Sequence, residues 1–117
     1  MTGQLHLQLH SLIMGVCAIA LLDSGATGNF MDWIFMKKTG IPLKKKKQSY
    51  NLASFGEDKK ISRVTKETWP LEVNTQGHRE KMCFDVTKLE SYDLILNYSW
   101  LKQHNPNIDW LEKKVWH

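Results

Sequence analysis

The sequence predicts a mainly β domain, either a closed barrel or a sandwich, and three observations support this fold class. Short apolar stretches recur along the 117 residues and are separated by turn-forming residues about every 8 to 12 positions, a spacing typical of all-β proteins. The first stretch alternates strictly, with Leu5, Leu7 and Leu9 between polar side chains, which is the period of a half-buried strand. The length suits one domain, 1–117, with a modest core.

The elements predicted for the N-terminal half are a strand over 5–10, a turn at Gly15, a strand over 16–22, a loop over 23–29 and a short helix over 31–38. The second strand is continuously apolar, so we expect it to be buried on both faces. The helix is indicated by Lys37 and Lys38 in its last turn and by Gly40 as its stop.

The C-terminal half predicts further short strands joined by polar turns. The predicted segments are strands over 50–53 and 61–66 around a turn at 54–58, strands over 69–73 and 81–86 around a turn at 74–78, a strand over 92–96, a short helix over 99–104 and a hairpin over 108–116. Ser99 is the expected N-cap of that C-terminal helix, and Asn105-Pro106 ends it.

Charge and cysteine content narrow the functional classes only mildly. Lys and Arg total 16 against 12 acidic residues. The run 44–47, four lysines, predicts a solvated loop, with a localisation signal or nucleic-acid patch as the alternative. Cys17 and Cys83 each lie among apolar residues, so we expect buried free thiols in a reducing intracellular setting, cytoplasm or nucleus. The histidines are scattered, so neither a metal site nor a cofactor is expected.

The longest apolar run, 12–22, is too short for a membrane span, which needs about 20 residues. It also lacks the preceding basic residue of a secretory signal. We therefore expect no membrane association, and a buried strand or hairpin explains this run better.

The strongest chemical signal is the triplet Asp23-Ser24-Gly25 at the end of the second apolar strand. An Asp in this place leaves a dry environment and enters a tight loop whose backbone donors can hold a carboxylate. Ser24 has a hydroxyl that can bond to a neighbouring chain or to the main chain, and Gly25 lets a substrate backbone approach closely. The triplet alone is also compatible with an ordinary turn.

Residues 20–32, which read Ala-Leu-Leu-Asp-Ser-Gly-Ala-Thr-Gly-Asn-Phe-Met-Asp, resemble the active-site segment of proteases from gypsy-type LTR retrotransposons and of genes derived from them. Further segments resemble the same family in the same order, namely 37–43, 77–80, 84–87, 93–96, 100–101 and 104–110. The resemblance extends over about residues 5–117. It implies a retropepsin-like closed β barrel (the acid protease fold) with one short C-terminal helix, working as half of a symmetric dimer.

The resemblance also implies an activity and a site. Asp23 would be the catalytic residue of an aspartic endopeptidase that cleaves an extended peptide or a polyprotein. The residues implied in the active-site loop or in substrate binding are Ser24, Gly25, Ala26, Thr27, Phe55 and Gly56, the last two near the tip of a flap over 54–58. The partners implied are a second copy of the chain and the peptide substrate.

One position departs from the family pattern. Where the family usually has Ile-Leu-Gly, this chain has Ile95-Leu96-Asn97. Asn is the non-glycine residue that best tolerates a positive φ angle, so we expect Asn97 to replace the glycine in that conformation. Two alternatives to an active protease are a domesticated, inactive module that dimerises or binds peptides, and, much less favoured, a nucleic-acid-binding accessory domain.

Overall fold

The computed structural model describes residues 6–23, 26–53 and 61–97. The elements in these residues are β1 (His6–Ile13), β2 (Val16–Asp23), β3 (Phe30–Asp32), α1 (Trp33–Thr39), β4 (Leu43–Ala53), β5 (Ile61–Thr68), β6 (Leu71–Thr75), β7 (His78–Met82), β8 (Asp85–Thr87) and β9 (Leu94–Asn97). The mainly β class is confirmed. The predicted C-terminal helix and last hairpin lie outside the described residues.

The nine strands form one mixed sheet in the order β4-β5-β8-β3-β9-β2-β1-β6-β7. Most neighbours are antiparallel, but β9 runs parallel to β2, and β8 runs parallel to β3. Within the described residues β4 and β7 are the two edges and do not pair with each other. The sheet is therefore not closed, and the expected closed barrel is not what these residues form.

Two tight hairpins confirm predicted turns. β1 and β2 are joined by Met14 and Gly15, with φ angles of 51° and 77°, and β6 and β7 by Gln76 and Gly77, with φ angles of 53° and 85°. Two consecutive positive φ angles define the type I′ turn, whose twist matches that of the flanking strands. Glycine adopts the positive φ angle of the second position at no steric cost, so the glycines in the sequence were enough to predict both turns.

The helix α1 begins two residues later than predicted because 30–32 pair as β3 with β8 and β9. Asp32 is its N-cap, and the C-cap Gly40 has a left-handed φ of 69°. Lys37 and Lys38 lie in the last turn, as predicted, where cations stabilise the negative end of the helix dipole.

The expectation that β2 is buried on both faces is wrong. Ala18, Ala20 and Leu22 are fully buried, whereas Val16 and Ile19 are more than one third exposed. β2 pairs antiparallel with β1 in a hairpin that turns one face to the core, and such sheets commonly leave the other face to solvent. The thiols of Cys17 and Cys83 were expected to be buried, but both are exposed. Cys17 lies on the outward face of β2, and Cys83 lies in the connection between β7 and β8.

The lysine run 44–47 belongs to β4 and is not the solvated loop that was expected. The run alternates across an edge strand, so Lys45 and Lys47 are exposed while Lys46 is largely buried. Lys46 is neutralised there by Asp85, 2.8 Å away. The positive charge of the run is compatible with a strand because β4 pairs with a neighbour on one side only.

Apolar side chains form two clusters. The larger is the main core, in which the inward residues of β1, β2, β6 and β9 pack with α1; its fully buried members are Leu9, Ile13, Ala18, Ala20, Leu22, Met31, Val73, Phe84, Leu94 and Leu96. The smaller cluster contains Ala26, Phe30, Leu89 and Ile95, with Leu21, Tyr50 and Leu52 packed against it. The smaller cluster lies where the chain leaves β2, so it borders the candidate site.

Candidate functional site

Asp23 is the last residue of β2 and is half-buried. It lies opposite Asn97, the last residue of the parallel strand β9. The carboxyl ends of two adjacent parallel strands therefore meet at this carboxylate. Side chains and loops that follow such strand ends are common positions for functional groups in proteins, because a rigid sheet fixes them while the loop reaches solvent.

The loop after Asp23 is held to both strand ends by hydrogen bonds. The Ala26 N–H donates to the Asp23 carbonyl oxygen at 3.1 Å. The Asn97 side-chain amide donates to the Ala26 carbonyl oxygen, and the Asn97 N–H donates to Asn29 Oδ1 at 2.9 Å. This arrangement fixes the exit of the loop relative to Asp23.

The structure brings together only part of the predicted site. Ala26 is buried beside Asp23, and Thr27, next in the loop, is exposed. Ser24 and Gly25, together with the predicted flap residues Phe55 and Gly56, lie outside the described residues. Their roles therefore remain predictions.

Asn97 does not adopt the conformation expected of a glycine replacement. Among the described residues, the non-glycine positions with positive φ are Met14 and Gln76, so Asn97 continues β9 as an ordinary strand residue. The expectation failed because Asn97 pairs as a strand residue, and both its side-chain amide and its backbone N–H contact the loop. Its amide reaches the Ala26 carbonyl, a contact that a glycine could not make.

Asn29 is a site residue that the sequence reasoning missed. Its side-chain oxygen accepts from Asn97, and its carbonyl oxygen accepts from the Asp85 N–H at 3.0 Å. It therefore joins the end of the loop to β9 and to β8. Asn29 lies inside the segment that resembles the protease family, and this was the one sequence feature that could have marked it as a site residue. Nothing in the neighbouring sequence indicated that its partner lies 68 positions away.

Asp32 and Asp93 have structural contacts. Asp32 accepts from the N–H groups of Ile34 and Phe35 through Oδ2 and from Leu89 through Oδ1. Asp93 Oδ2 accepts from the Ile19 N–H at 2.8 Å. These contacts make Asp32 a capping residue. Asp109 lies outside the described residues.

Asp85 belongs to an ionic network with side chains of β4 and β5. Its carboxylate accepts from Lys46 at 2.8 Å and from the Tyr50 hydroxyl, and Glu67 lies 3.9 Å from Lys46. Burial of the phenol, followed by its hydrogen bond to Asp85 and the charge of that carboxylate, raises the pKa of Tyr50. The network fastens β4 to β8 beside the smaller apolar cluster.

The described residues show no group of three or more histidine, cysteine, aspartate or glutamate side chains that could hold a metal ion. No helix in the described ranges has the length and apolar character needed to cross a membrane. The candidate site in these residues thus consists of Asp23, its loop, the Asn97 contact below it and the apolar cluster beside it.

Comparisons with known proteins agree with this geometry. The solved structure of the retroviral protease-like domain of Ddi1 from Leishmania major is similar to this chain, with a TM-score of 0.60 and 20% sequence identity over 86% of this chain and 78% of that chain. At that identity the likeness shows a retropepsin-like fold. A family model described as the PEG10/RTL1 protease domain matches residues 19–117, from β2 to the last residue. The chain therefore belongs to the PEG10/RTL1 protease domain family, a retrotransposon-derived, retropepsin-like group.

Proposed function

We propose that this chain is one subunit of an aspartic endopeptidase that hydrolyses peptide bonds in an extended peptide or polyprotein. The observation that carries the proposal is the position of Asp23, at the joint end of β2 and β9 and at the start of a loop held by Asn97. Membership of a protease-domain family supports the same reaction type. Neither a metal ion nor a cofactor is needed for it.

The proposal requires two copies of the chain. The Asp-Ser-Gly triplet occurs once in these 117 residues, so one copy of the domain supplies one of the two carboxyls that an aspartic dyad needs. Two Asp23 carboxyls would face each other across a two-fold axis, as an isologous dimer requires. Ser24 would brace the two loops against each other, in the role that the family resemblance implies.

Catalysis would depend on a shared proton. Two carboxyls a few ångströms apart cannot both be ionised at low cost, so the pair holds one proton between them. The ionised carboxyl accepts a proton from a bound water, and that water attacks the scissile carbonyl carbon. The protonated carboxyl donates to the carbonyl oxygen, which gives a tetrahedral diol. The diol then collapses and breaks the C–N bond: the carboxyl that took the water proton gives it to the leaving amine nitrogen, and the other carboxyl recovers a proton from a diol hydroxyl. No covalent intermediate with the protein is formed. The pair titrates as a unit, so mildly acidic pH is expected to favour activity.

The smaller apolar cluster supports a preference for substrates with bulky apolar side chains. Ala26 and Phe30 continue from the loop after Asp23, and Ile95 precedes Asn97 on β9. Leu21 and Leu52 pack partly exposed against this cluster. When an apolar substrate group covers partly exposed apolar side chains beside a catalytic carboxylate, the burial stabilises the complex by about 25 cal/mol per Å² of apolar surface.

A peptide-cleavage assay with Asp23→Asn tests this function. The protein is incubated with a peptide library at about pH 4 to 6, where an aspartic dyad can hold one proton, and products are identified by mass spectrometry. The parent protein should cleave, and Asp23→Asn should not. Glu72→Gln is the matched control, since Glu72 is an exposed acid on β6, a strand that contributes no residue to the candidate site, and its loss should not matter.

Two results would contradict the proposal. One is a parent protein that cleaves no peptide at concentrations where sedimentation shows a dimer. The other is a protein that stays monomeric at every concentration, because one Asp23 cannot form the dyad.

A second candidate is a non-catalytic module that keeps the fold to dimerise or to bind peptides. Asn97 is the observation that favours it, since a polar side chain stands beneath the loop where the family usually has glycine. In that case the parent would bind extended apolar peptides without cleaving them, and Asn97→Gly would be the variant to test for restored cleavage.

A further inference from the structure

A groove of about 560 Å³ lies between α1, β5 and β8. The side chains that form it include Trp33, Ile34, Thr65, Lys66, Val86 and Lys88. None of its residues belongs to the loop after Asp23 or to the smaller apolar cluster. The groove is therefore a different surface from the candidate active site.

Two bulky apolar side chains line this groove and remain exposed. Trp33 is 46% exposed and Ile34 is 59% exposed, both in the first turn of α1. Phe35 and Met36 occupy the core side of the same helix. Asp32 fixes the orientation of the helix by capping it, so Trp33 and Ile34 cannot turn into the core without breaking the cap.

The ionisable side chains of the groove are all cationic. They are Arg63, Lys66 and Lys88, with no aspartate or glutamate among the lining residues. The Arg63 guanidinium is already held by Ser49 Oγ at 2.7 Å and by Asn51 Oδ1 at 3.2 Å. Lys66 and Lys88 form no ion pair with any described residue, so their charges are available to a ligand.

Lys46 on the neighbouring strand β4 differs from Lys66 and Lys88 because it has carboxylate partners. Lys46 is neutralised by Asp85 and Glu67. At the groove, Lys37 adds a further cation, with Nζ 5.2 Å from the centre of the Trp33 ring. A concave surface that combines exposed apolar side chains with uncompensated positive charge is complementary to a partner that carries both acidic and apolar groups.

We propose that this groove is a docking site for an acidic peptide segment with bulky apolar side chains, belonging to another protein. The apolar side chains of the segment would cover Trp33 and Ile34, and its carboxylates would pair with Lys66 and Lys88. A nucleic acid fits less well, because Trp33 is the one aromatic side chain among the lining residues, and Ile34 and Val86 are aliphatic and offer no stacking face to successive bases. Docking at the groove needs no contribution from Asp23, so the proposal holds whether or not the chain cleaves peptides.

The test measures peptide binding to the full chain carrying Asp23→Asn, so that cleavage cannot consume the probe. The probe is a short fluorescein-labelled peptide of Glu, Asp, Leu and Trp, followed by fluorescence polarisation. A second peptide replaces each acid with its amide, and a labelled oligothymidylate represents nucleic acid. The acidic peptide should bind more tightly than both.

Paired variants locate the binding site. Lys66→Glu combined with Lys88→Glu should weaken binding of the acidic peptide about tenfold or more, because two attractions become repulsions. Arg79→Glu combined with Lys81→Glu makes the same charge change on exposed residues of β7, at the opposite edge of the sheet from β5 and β8, and should have little effect. Trp33→Ala should weaken binding. Trp69→Ala should not, although Trp69 is also half exposed and also lies beneath a lysine, at 4.7 Å.

Several results would overturn the proposal: equal affinity for the acidic and amide peptides, tighter binding of the oligothymidylate, or equal losses in the groove and control variants. Circular dichroism spectra and thermal unfolding of each variant identify any loss that comes from unfolding. The Asp23→Asn background keeps the outcome separate from that of the cleavage assay.

Discussion

Asn97 and Asp32 are two polar residues that each join segments distant in the sequence. Asn97 ends β9 and donates from its side chain to the loop that follows β2. Asp32 ends β3, caps α1 and accepts from the Leu89 N–H at 2.8 Å. In both cases one short side chain satisfies backbone groups that would otherwise lose their partners on burial.

Asn97→Ala should destabilise the protein by about 1 to 2 kcal/mol, because the Ala26 carbonyl loses its donor in a partly buried place. Asn97→Asp should cost more, since a carboxylate oxygen would then face that carbonyl oxygen. Urea unfolding measures both. If Asn97→Asp proves as stable as the parent, the side chain does not hold the loop in the way described.

Asp32→Ala should cost about 2 to 3 kcal/mol, since three backbone N–H groups lose their acceptor and α1 loses its cap. Asp32→Asn keeps one acceptor oxygen and should fall between the parent and the alanine variant. The measurement is the free energy of unfolding in urea. A loss smaller than about 0.5 kcal/mol for the alanine variant would mean that water replaces the carboxylate at these donors.

At the scale of elements, β4 depends on its link to β8. β4 is an edge strand, and its register with β5 shifts between Lys45 and Tyr50. Lys46 lies inside the shifted stretch, and Tyr50 lies where pairing with β5 resumes; both bond to Asp85 in β8. The link therefore fixes the irregular part of the edge strand where main-chain pairing with β5 is interrupted.

The link makes stability sensitive to alkaline pH. Burial and Asp85 raise the pKa of Tyr50 above its usual value near 10. The neutral phenol is thus favoured in the folded state, so its stabilisation is complete below about pH 10 and declines as the pH rises further. Between about pH 9 and 11, the parent should lose more stability than Tyr50→Phe, by about 1 kcal/mol or less because Tyr50 is only partly buried.

Chemical denaturation across this pH range provides the measurement. Tyr92→Phe is the matched control, since Tyr92 is also half-buried, and it should keep the pH dependence of the parent. All three proteins have the same lysines, so the comparison depends on the difference between the curves. Identical curves for Tyr50→Phe and the parent would contradict the role given to this hydrogen bond.

At the scale of the whole molecule, each chain supplies half of the proposed catalytic pair. A mixing experiment tests this directly. Parent and Asp23→Asn subunits are mixed in equal amounts, allowed to exchange, and assayed at constant total protein. If only dimers with two Asp23 carboxyls act, about one quarter of the parent activity should remain, since a quarter of randomly formed dimers are of that kind. Retention of one half would show that each chain acts alone.

The sequence by itself determined the features that local rules control. The turns at Gly15 and Gly77 and the helix stop at Gly40 follow from the backbone freedom of glycine, which adopts the positive φ angles that these positions need. The order of motifs around Asp23 determined the family, because several independent segments agreed. These features can be predicted without knowing which strands pair with each other.

Only the tertiary structure decided which distant groups come together. The parallel pairing of β2 with β9 puts Asp23 opposite Asn97, and the same sheet brings Lys46 to Asp85 and leaves Cys17 facing outward. A lysine run alone predicts a solvated loop, and a continuous apolar run alone predicts a strand buried on both faces. Both predictions were wrong here because they took no account of the neighbouring strands. Burial and charge pairing are properties of the assembled sheet, since they depend on side chains supplied by strands far apart in the chain.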